Sequence, residues 1–386
     1  KINSLKKKIK KKAFLNSNYK YLKKADIIIY SLPTPIDKKN NPDLKILKNS
    51  IKESLPNYKK GQLIILESTS YPGTTKECLK KVIKKFEIGQ DLFIGYSPER
   101  IDPGNKIYSL ENITKIISGY TDQCQYLTQI FFGKIIRKVT AASSIEVAEF
   151  TKIYENIFRS INIGLANETK QIAKKLKINF GEVLDLASSK PFGFMRFEPG
   201  PGVGGHCIPV DPFYLSWLAN KKGFKTKFIK ISGEINSNMP NIISREIIQN
   251  LKKKKIVNPK VLILGLSYKK NIDDIRNSPG VKIFENLKNK VQIVFEDKYV
   301  RFLIKKNQKI LSQKIVDFSS VKLYDAIVLA TDHDYFDYDK ILKNSKLIFD
   351  LRNKFAQNEK VIKLWLKIPY ALYLQDQAPR ELKIKI

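Results

Sequence analysis

Residues 25–32 read Ala-Asp-Ile-Ile-Ile-Tyr-Ser-Leu and run directly into Pro33-Thr34-Pro35. The pattern returns twice: Gln62-Leu-Ile-Ile-Leu66 leads into Glu67-Ser68-Thr69, and residues 92–96 lead into Ser97-Pro98-Glu99-Arg100. Short, wholly apolar runs closed by chain breakers or helix starts are what a parallel sheet buried on both faces requires. In such sheets ligands lie at the carboxyl ends of the strands. All three ends here carry Thr, Ser or Glu.

The same reading restarts after the Lys252-Lys-Lys-Lys255 run. Residues 260–266 (Lys-Val-Leu-Ile-Leu-Gly-Leu) predict a buried strand, and 292–295, 326–330 and 347–351 predict its partners, with helical patterns between them. That is a second doubly wound α/β unit of roughly 100 residues. Between the two, Ser144 can cap a long helix reaching Leu176, because Ile145, Ala148, Ile153, Ile157 and Ile161 recur at helical spacing. A second helical stretch follows from Gly181. Six Gly or Pro among residues 199–205 then exclude helix or strand interior and predict a loop whose backbone approaches something closely. The fold class expected is therefore α/β, with two doubly wound units around a helical middle.

With 386 residues, 42% of them hydrophobic, the chain can bury full-sized cores, which excludes global disorder. No apolar run reaches the ~18 residues of a membrane span, so membrane insertion has no support in the sequence. Three scattered cysteines are not a disulfide framework and read as reduced cytoplasmic thiols, while two histidines leave little for a metal site. The net charge of +34 raises nucleic acid as a partner. Yet 62 Lys stand against 9 Arg, the residue that bidentate recognition favours, and the basic runs lack interleaved aromatics. No nucleic-acid partner is expected.

Several constellations can carry chemistry. Cys207 follows Gly204-Gly205-His206 in the Gly/Pro loop, and Asp211 stands four residues on, within reach to order water or handle a proton. Cys78 and Cys124, on ordinary amphipathic stretches, read as structural. Lys152 and Asn156 project from one helix face and either stabilise an oxyanion together or belong to a solvated surface. Glu99 is either a general acid/base or a helix cap. Lys269, Lys270 and Arg276 follow the strand end at Gly265, where phosphate binds in α/β units, although exposed lysine is common in this chain. His333 reads as a polar residue in a loop or at a strand end rather than as a ligand.

Six motifs occur in order: Ser31-Leu-Pro-Thr-Pro35, Glu67-Ser-Thr-Ser-Tyr-Pro-Gly73, Tyr96-Ser-Pro-Glu-Arg100, Glu149-Phe-Thr-Lys-Ile-Tyr-Glu-Asn156, Pro199-Gly-Pro-Gly-Val-Gly-Gly-His-Cys-Ile-Pro-Val-Asp-Pro212 and Gly265-Leu-Ser-Tyr-Lys-Lys-Asn-Ile-Asp-Asp-Ile-Arg276. Together, over about residues 19 to 355, they resemble the UDP-glucose/GDP-mannose dehydrogenase family of nucleotide-sugar 6-dehydrogenases. Lys190-Pro-Phe-Gly-Phe194 is most similar to the UDP-N-acetylglucosamine branch.

The resemblance implies two Rossmann-like domains joined by a long central helix and a helical dimerisation region. Residues 1–140 would bind NAD, 141–250 would carry the cysteine loop, 255–355 would bind the UDP-sugar, and 356–386 would form a tail. It implies an NAD-dependent, four-electron oxidation of the sugar C6 alcohol to a carboxylate, for polysaccharide precursor synthesis. The substrate would be UDP-N-acetylglucosamine, with UDP-glucose and UDP-N-acetylmannosamine as alternatives. Cys207 would be the nucleophile, passing through a thiohemiacetal and a thioester. Lys152 and Asn156 would steady the oxyanion, and Asp211, Thr69 and Glu99 would position water and move protons. Thr34, Pro35, Thr69 and Arg276 would contact NAD. The UDP-sugar would lie against Glu99, Lys152, Asn156, Gly202, Gly204, Gly205, Lys269 and Arg352. A cytoplasmic homodimer is the implied assembly.

This sequence departs from the family pattern at its front. The family opens with a strand, a Gly-x-Gly-x-x-Gly turn and a helix, whereas here glycine first occurs at Gly61. The first domain is therefore expected to be incomplete, and a truncated, inactive nucleotide-sugar-binding protein is the alternative. Arg196 stands where proline or a small residue is expected, and His206 where other branches carry serine.

Overall fold

The computed structural model describes residues 16–363 except 38, 103–106, 306–307, 314, 316 and 357; the lysine run at 6–12 and the end of the chain from residue 364 lie outside the described residues. The chain divides into two compact units, Lys1–Ile153 and Tyr154–Ile386.

The first unit is built on β1 (Ile27–Tyr30), β2 (Leu63–Leu66), β3 (Phe93–Tyr96), β4 (Lys115–Gly119) and β5 (Val139–Ala141), in that spatial order. β1, β2 and β3 pair in parallel with Ile64 opposite both Ile28 and Ile94, as the three apolar runs predict. Four helices accompany them: α1 (Lys45–Ser54), α2 (Thr74–Cys78), α3 (Lys80–Lys85) and α4 (Asp122–Gly133). Ile64 and Leu66 pack with Leu47, Ile51 and Val82, while Leu63 and Ile65 pack with Ile117, Phe132 and Ile136 in a separate cluster. Alternate side chains thus serve opposite faces, so the strands need apolar residues at every position. Each such buried side chain contributes about 1.5–3 kcal/mol. β4 runs antiparallel to β3 and was not foreseen, because Lys115 and Ser118 flank only two consecutive apolar residues.

α5 (Ile145–Lys175) begins in the first unit and continues into the second, with Ser144 Oγ accepting from Val147 N at its start. The second unit adds α6 (Phe180–Ala187), α7 (Asp211–Lys221) and α8 (Phe228–Lys253). They are followed by β6 (Lys260–Leu264), α9 (Pro279–Leu287), β7 (Gln292–Glu296) and the antiparallel pair β8 (Phe302–Lys305) and β9 (Gln308–Leu311). β10 (Ala326–Leu329), α10 (Tyr338–Asn344), β11 (Ile348–Asp350) and β12 (Val361–Lys363) complete it. Five strands form one parallel sheet in the order β12-β11-β10-β6-β7. Val261 and Ile263 pack with Met239, Ile243 and Ile283, whereas Leu262 and Leu264 pack with Val321, Phe336 and Ile341. The four strands expected here are present; β12, short and partly polar, was not foreseen.

Candidate active site

In the first unit the motif loops at the strand ends are tied to one another. Thr34 Oγ1 donates to Thr69 O at 2.7 Å, joining the β1 and β2 loops. Ser68 Oγ accepts from Leu32 N at 2.8 Å and donates to Leu32 O at 2.9 Å. Glu99 does not cap a helix; its Oε1 accepts from Arg100 N and Ile101 N, both at 2.7 Å, in a non-helical turn. Its Oε2 meets Lys115 Nζ at 3.1 Å. Burial pushes the Glu99 carboxyl up, but the Lys115 ammonium and these N–H groups outweigh it and hold it below its ordinary value.

Two residues of this region escaped the sequence reading. Lys115, in none of the motifs, is buried at the start of β4 and also pairs with Glu67 at 2.9 Å. Glu149 lies in a motif, yet nothing in the sequence distinguished its carboxylate. It is fully buried and accepts from Gly73 N at 2.5 Å, Thr75 N at 2.8 Å and Thr75 Oγ1 at 2.7 Å. Helix α5 is thereby fastened to the loop that follows Thr69. One turn on, Lys152 is buried, which removes the solvated-face reading.

The second unit brings Asn156, Asp211 and Cys207 into one neighbourhood. Asn156 is fully buried, and its Nδ2 donates to the carboxylate of Asp211, the first residue of α7. Arg159 donates to the other end of the same amide. Cys207 is half-buried, and its carbonyl accepts from Val210 N at 3.0 Å and Asp211 N at 2.8 Å. This turn carries the chain from the glycine loop into α7.

The glycines of that loop face the protein itself. A Cβ on Gly204 would lie 2.5 Å from Tyr268 Cβ, and one on Gly205 3.0 Å from the Tyr268 ring. Gly205 N donates to Arg276 O at 2.8 Å, and Asn277 Nδ2 donates to Gly205 O at 2.9 Å. Nearby, an open cavity of about 400 Å³ has Glu198, Gly200 and Gly202 on its wall together with Asp332, Arg352 and Asn353. Gly202 and Arg352 therefore meet in one cavity, whose lining does not include Gly204, Gly205, Lys269 or Cys207. Arg352 is aimed by its Nε donating to Ala330 O at 2.7 Å. Arg276 is exposed and pairs with Asp274. Lys269 is half-exposed after β6, and His206 is exposed. Arg196 bonds Asp185 at 2.7 Å and Glu198 at 2.6 Å, so it braces the approach to the cavity.

His333 follows β10, as its strand-end reading suggested, but it is fully buried. Its Nδ1 accepts from Asn271 N at 2.9 Å, so the proton sits on Nε2 and points to Asp297 Oδ2 at 3.1 Å. The same Asp297 oxygen accepts from Leu266 N at 2.7 Å and Ser267 N at 3.1 Å. An internal carboxylate thus takes up the amide donors at the end of β6.

Residues 2–136 match the NAD binding domain of the UDP-glucose/GDP-mannose dehydrogenase family, 146–238 its central domain and 262–357 its UDP binding domain. Protein CapL of Staphylococcus aureus is 37% identical over 359 residues, 89% of this chain and 83% of that protein. The chain belongs to the UDP-glucose/GDP-mannose dehydrogenase family. A UDP-N-acetyl-D-glucosamine 6-dehydrogenase of Pseudomonas aeruginosa is 34% identical over 360 residues, covering 90% of this chain and 84% of its own. Among solved structures, a UDP-D-ManNAc dehydrogenase of Pyrococcus horikoshii superposes with a TM-score of 0.79 at 30% identity, over 90% of this chain and 82% of that one.

As a member of this family the chain is an NAD-dependent UDP-sugar dehydrogenase, an oxidoreductase. The dehydrogenase fold offers NAD the carboxyl ends of parallel β1 and β2, where the Thr34 and Thr69 loops carry neutral hydroxyls. With its proton given to Thr69 O, the Thr34 hydroxyl keeps acceptor capacity, which fits a ligand that donates hydroxyl or amide hydrogens. Residues 1–60 contain no glycine, and the Gly-x-Gly-x-x-Gly spacing of Gly200, Gly202 and Gly205 lies in the cysteine loop of the second unit, so no residue is assigned to the pyrophosphate. Among the described residues no helix is long and apolar enough to cross a membrane.

Proposed function

We propose that the protein oxidises the C6 hydroxyl of UDP-N-acetylglucosamine to the carboxylate, through covalent attachment to Cys207, for polysaccharide precursor synthesis. The observation that carries this reading is the buried Asn156–Asp211 contact at the start of α7, four residues after the half-buried Cys207. Lys190-Pro-Phe-Gly-Phe194 and the Pseudomonas relative support the N-acetylglucosamine assignment. The Pyrococcus structure makes UDP-N-acetylmannosamine the competing substrate.

An aldehyde has no transferable hydride until a nucleophile has made its carbon tetrahedral, which is the task we assign to the Cys207 thiolate. Lys152 and Asn156 would donate to the oxygen that becomes an oxyanion. After the second oxidation a thioester remains, and Asp211, with Thr69 and Glu99, would hold and deprotonate the water that releases the acid. NAD would supply the hydride acceptor, two molecules in succession taking one hydride each per sugar. We assign Thr34, Pro35, Thr69 and Arg276 to the cofactor. Lys269 and Arg352 are assigned to the nucleotide sugar, whose diphosphate needs cations, and Gly202 to the same ligand through its backbone, while Gly204 and Gly205 would serve it by setting the loop against Tyr268.

We further propose a homodimer paired through α5. Val147, Tyr154, Phe158, Leu165 and Ile172 recur at intervals of four and seven, and all are exposed large apolar side chains. The three free cysteines are consistent with a cytoplasmic location. The deciding experiment compares kcat/KM for UDP-N-acetylglucosamine, UDP-N-acetylmannosamine and UDP-glucose. We expect the first to lead by at least about tenfold, and a lead by either of the others refutes the substrate assignment.

A further inference from the structure

Two of the six motifs meet on a residue that belongs to none of them, and a third joins them through Glu67. Ser31 Oγ donates to Glu67 Oε2 at 2.8 Å, and Lys115 Nζ binds Glu67 Oε1 at 2.9 Å and Glu99 Oε2 at 3.1 Å. These contacts run from the end of β1, through the ends of β2 and β3, to the first residue of β4. The Phe132 ring closes the remaining side of the ammonium, its centroid 4.9 Å from Nζ. A cation so enclosed costs solvation unless carboxylates surround it. Two of them do.

The three side chains differ sharply in exposure, and that decides their parts. Lys115 keeps 5% of its side-chain surface and Glu67 14%, whereas Glu99 keeps 42%. Lys115 is therefore walled off from any ligand, and Glu99 alone presents an open side. With Oε1 taken by the N–H groups of Arg100 and Ile101 and Oε2 by Lys115, the Glu99 carboxylate is held at both oxygens. Remaining lone pairs on a carboxylate can still accept from a water or a sugar hydroxyl.

We propose that Lys115 is a positioning residue for the oxidation: clamped between Glu67 and Glu99 and backed by Phe132, its ammonium fixes the direction in which Glu99 presents its carboxylate to water. The inference rests on the assignment of Glu99 to water positioning. It gives Ser31 and Glu67 a purpose as well, since they anchor the far side of the clamp. Lysine serves here as a compact point charge, and an Arg fork can still reach both carboxylates at some loss of fit.

The test uses Lys115→Met, Lys115→Arg and Glu99→Gln in the whole protein, with melting temperature as the check on folding. In the first measurement the Glu99 side-chain carboxyl, 13C-labelled and assigned through Glu99→Gln, is titrated by NMR. Its midpoint is expected to rise in Lys115→Met and to return towards wild type in Lys115→Arg. An unmoved midpoint overturns the clamp whether or not the protein turns over. The second measurement is kcat. Lys115→Met is expected to lose about 10²-fold at little change in KM, and the loss is expected to vanish in the Glu99→Gln background. A full loss persisting in that background overturns the positioning role. Should Lys115→Met fail to fold, Lys115→Gln takes its place under the same two criteria. Full activity of Glu99→Gln itself would instead refute the role of Glu99, while the titration still decides the clamp.

Discussion

Gly204→Ala is the sharpest perturbation the cysteine loop allows. The added methyl would stand 2.5 Å from Tyr268 Cβ, 3.1 Å from Pro279 Cδ and 3.2 Å from Asn277 O. Tyr268 Cβ is the root of its side chain and cannot swing aside, so loop or strand end must retreat by about 0.9 Å to reach ordinary contact at 3.4 Å. Such overpacking costs ~1–3 kcal/mol. The functional effect should be larger than the structural one, because Cys207 lies three residues on. A displacement of about 1 Å in a reacting group costs ~10²-fold in rate. Scanning fluorimetry should show a modest fall in melting temperature, and steady-state NADH formation should show kcat/KM reduced about 100-fold. Gly133→Ala is the control, since a Cβ there meets nothing within 4 Å. A Gly204→Ala enzyme as stable and active as the control would refute the idea that close packing against Tyr268 sets the loop.

Other expectations follow from the buried charges and the exposed helix face. Burial lifts the Glu149 carboxyl from 4.5 to about 7 against the pull of its Thr75 and Gly73 donors. With the folded value above the unfolded one, this group favours the fold most below pH 4.5 and loses that share as the pH rises to about 7, by roughly 3 kcal/mol in total. Urea unfolding at pH 4.5 and pH 8 should show Glu149→Gln lacking that slope; equal slopes in the two proteins would contradict the assignment. Asp297→Ala strips the acceptor from Leu266, Ser267, Tyr299 and Val300 N–H groups and from His333, and should cost about 3–5 kcal/mol in the same assay. A loss under 1 kcal/mol would show the cluster to be dispensable. If the proposed dimer forms through α5, Leu165→Asp with Ile172→Asp should yield a monomer in light scattering where the wild type is a dimer, and a monomeric wild type or an unchanged mass would refute that pairing.

Strands β1, β2, β3, β6, β7, β10 and β11 and the long helix were legible because burial on both faces leaves a local signature, an unbroken apolar run or a 3.6-residue period. β4 and β12 were not, because Lys115 and Lys363 make short apolar segments look like loop. Spacing paired Cys207 with Asp211 and Lys152 with Asn156, and only the family resemblance joined the two pairs. Spacing could not show that Gly204 and Gly205 face Tyr268, since a glycine records only that something is near. Lys115 was hidden for a related reason. Among 62 lysines, one whose carboxylate partners lie 48 and 16 residues away carries no mark in the sequence. His333 was read as merely polar because Asp297, its partner, comes from a different strand end.

The central claim is that Cys207 carries the sugar through two successive oxidations. Its most direct measurement counts NADH formed per UDP-N-acetylglucosamine consumed, in the wild type and in Cys207→Ser. The wild type should form two NADH per UDP-uronic acid, and the variant should form no acid. One NADH per sugar, or acid formed undiminished without the thiol, would contradict the claim.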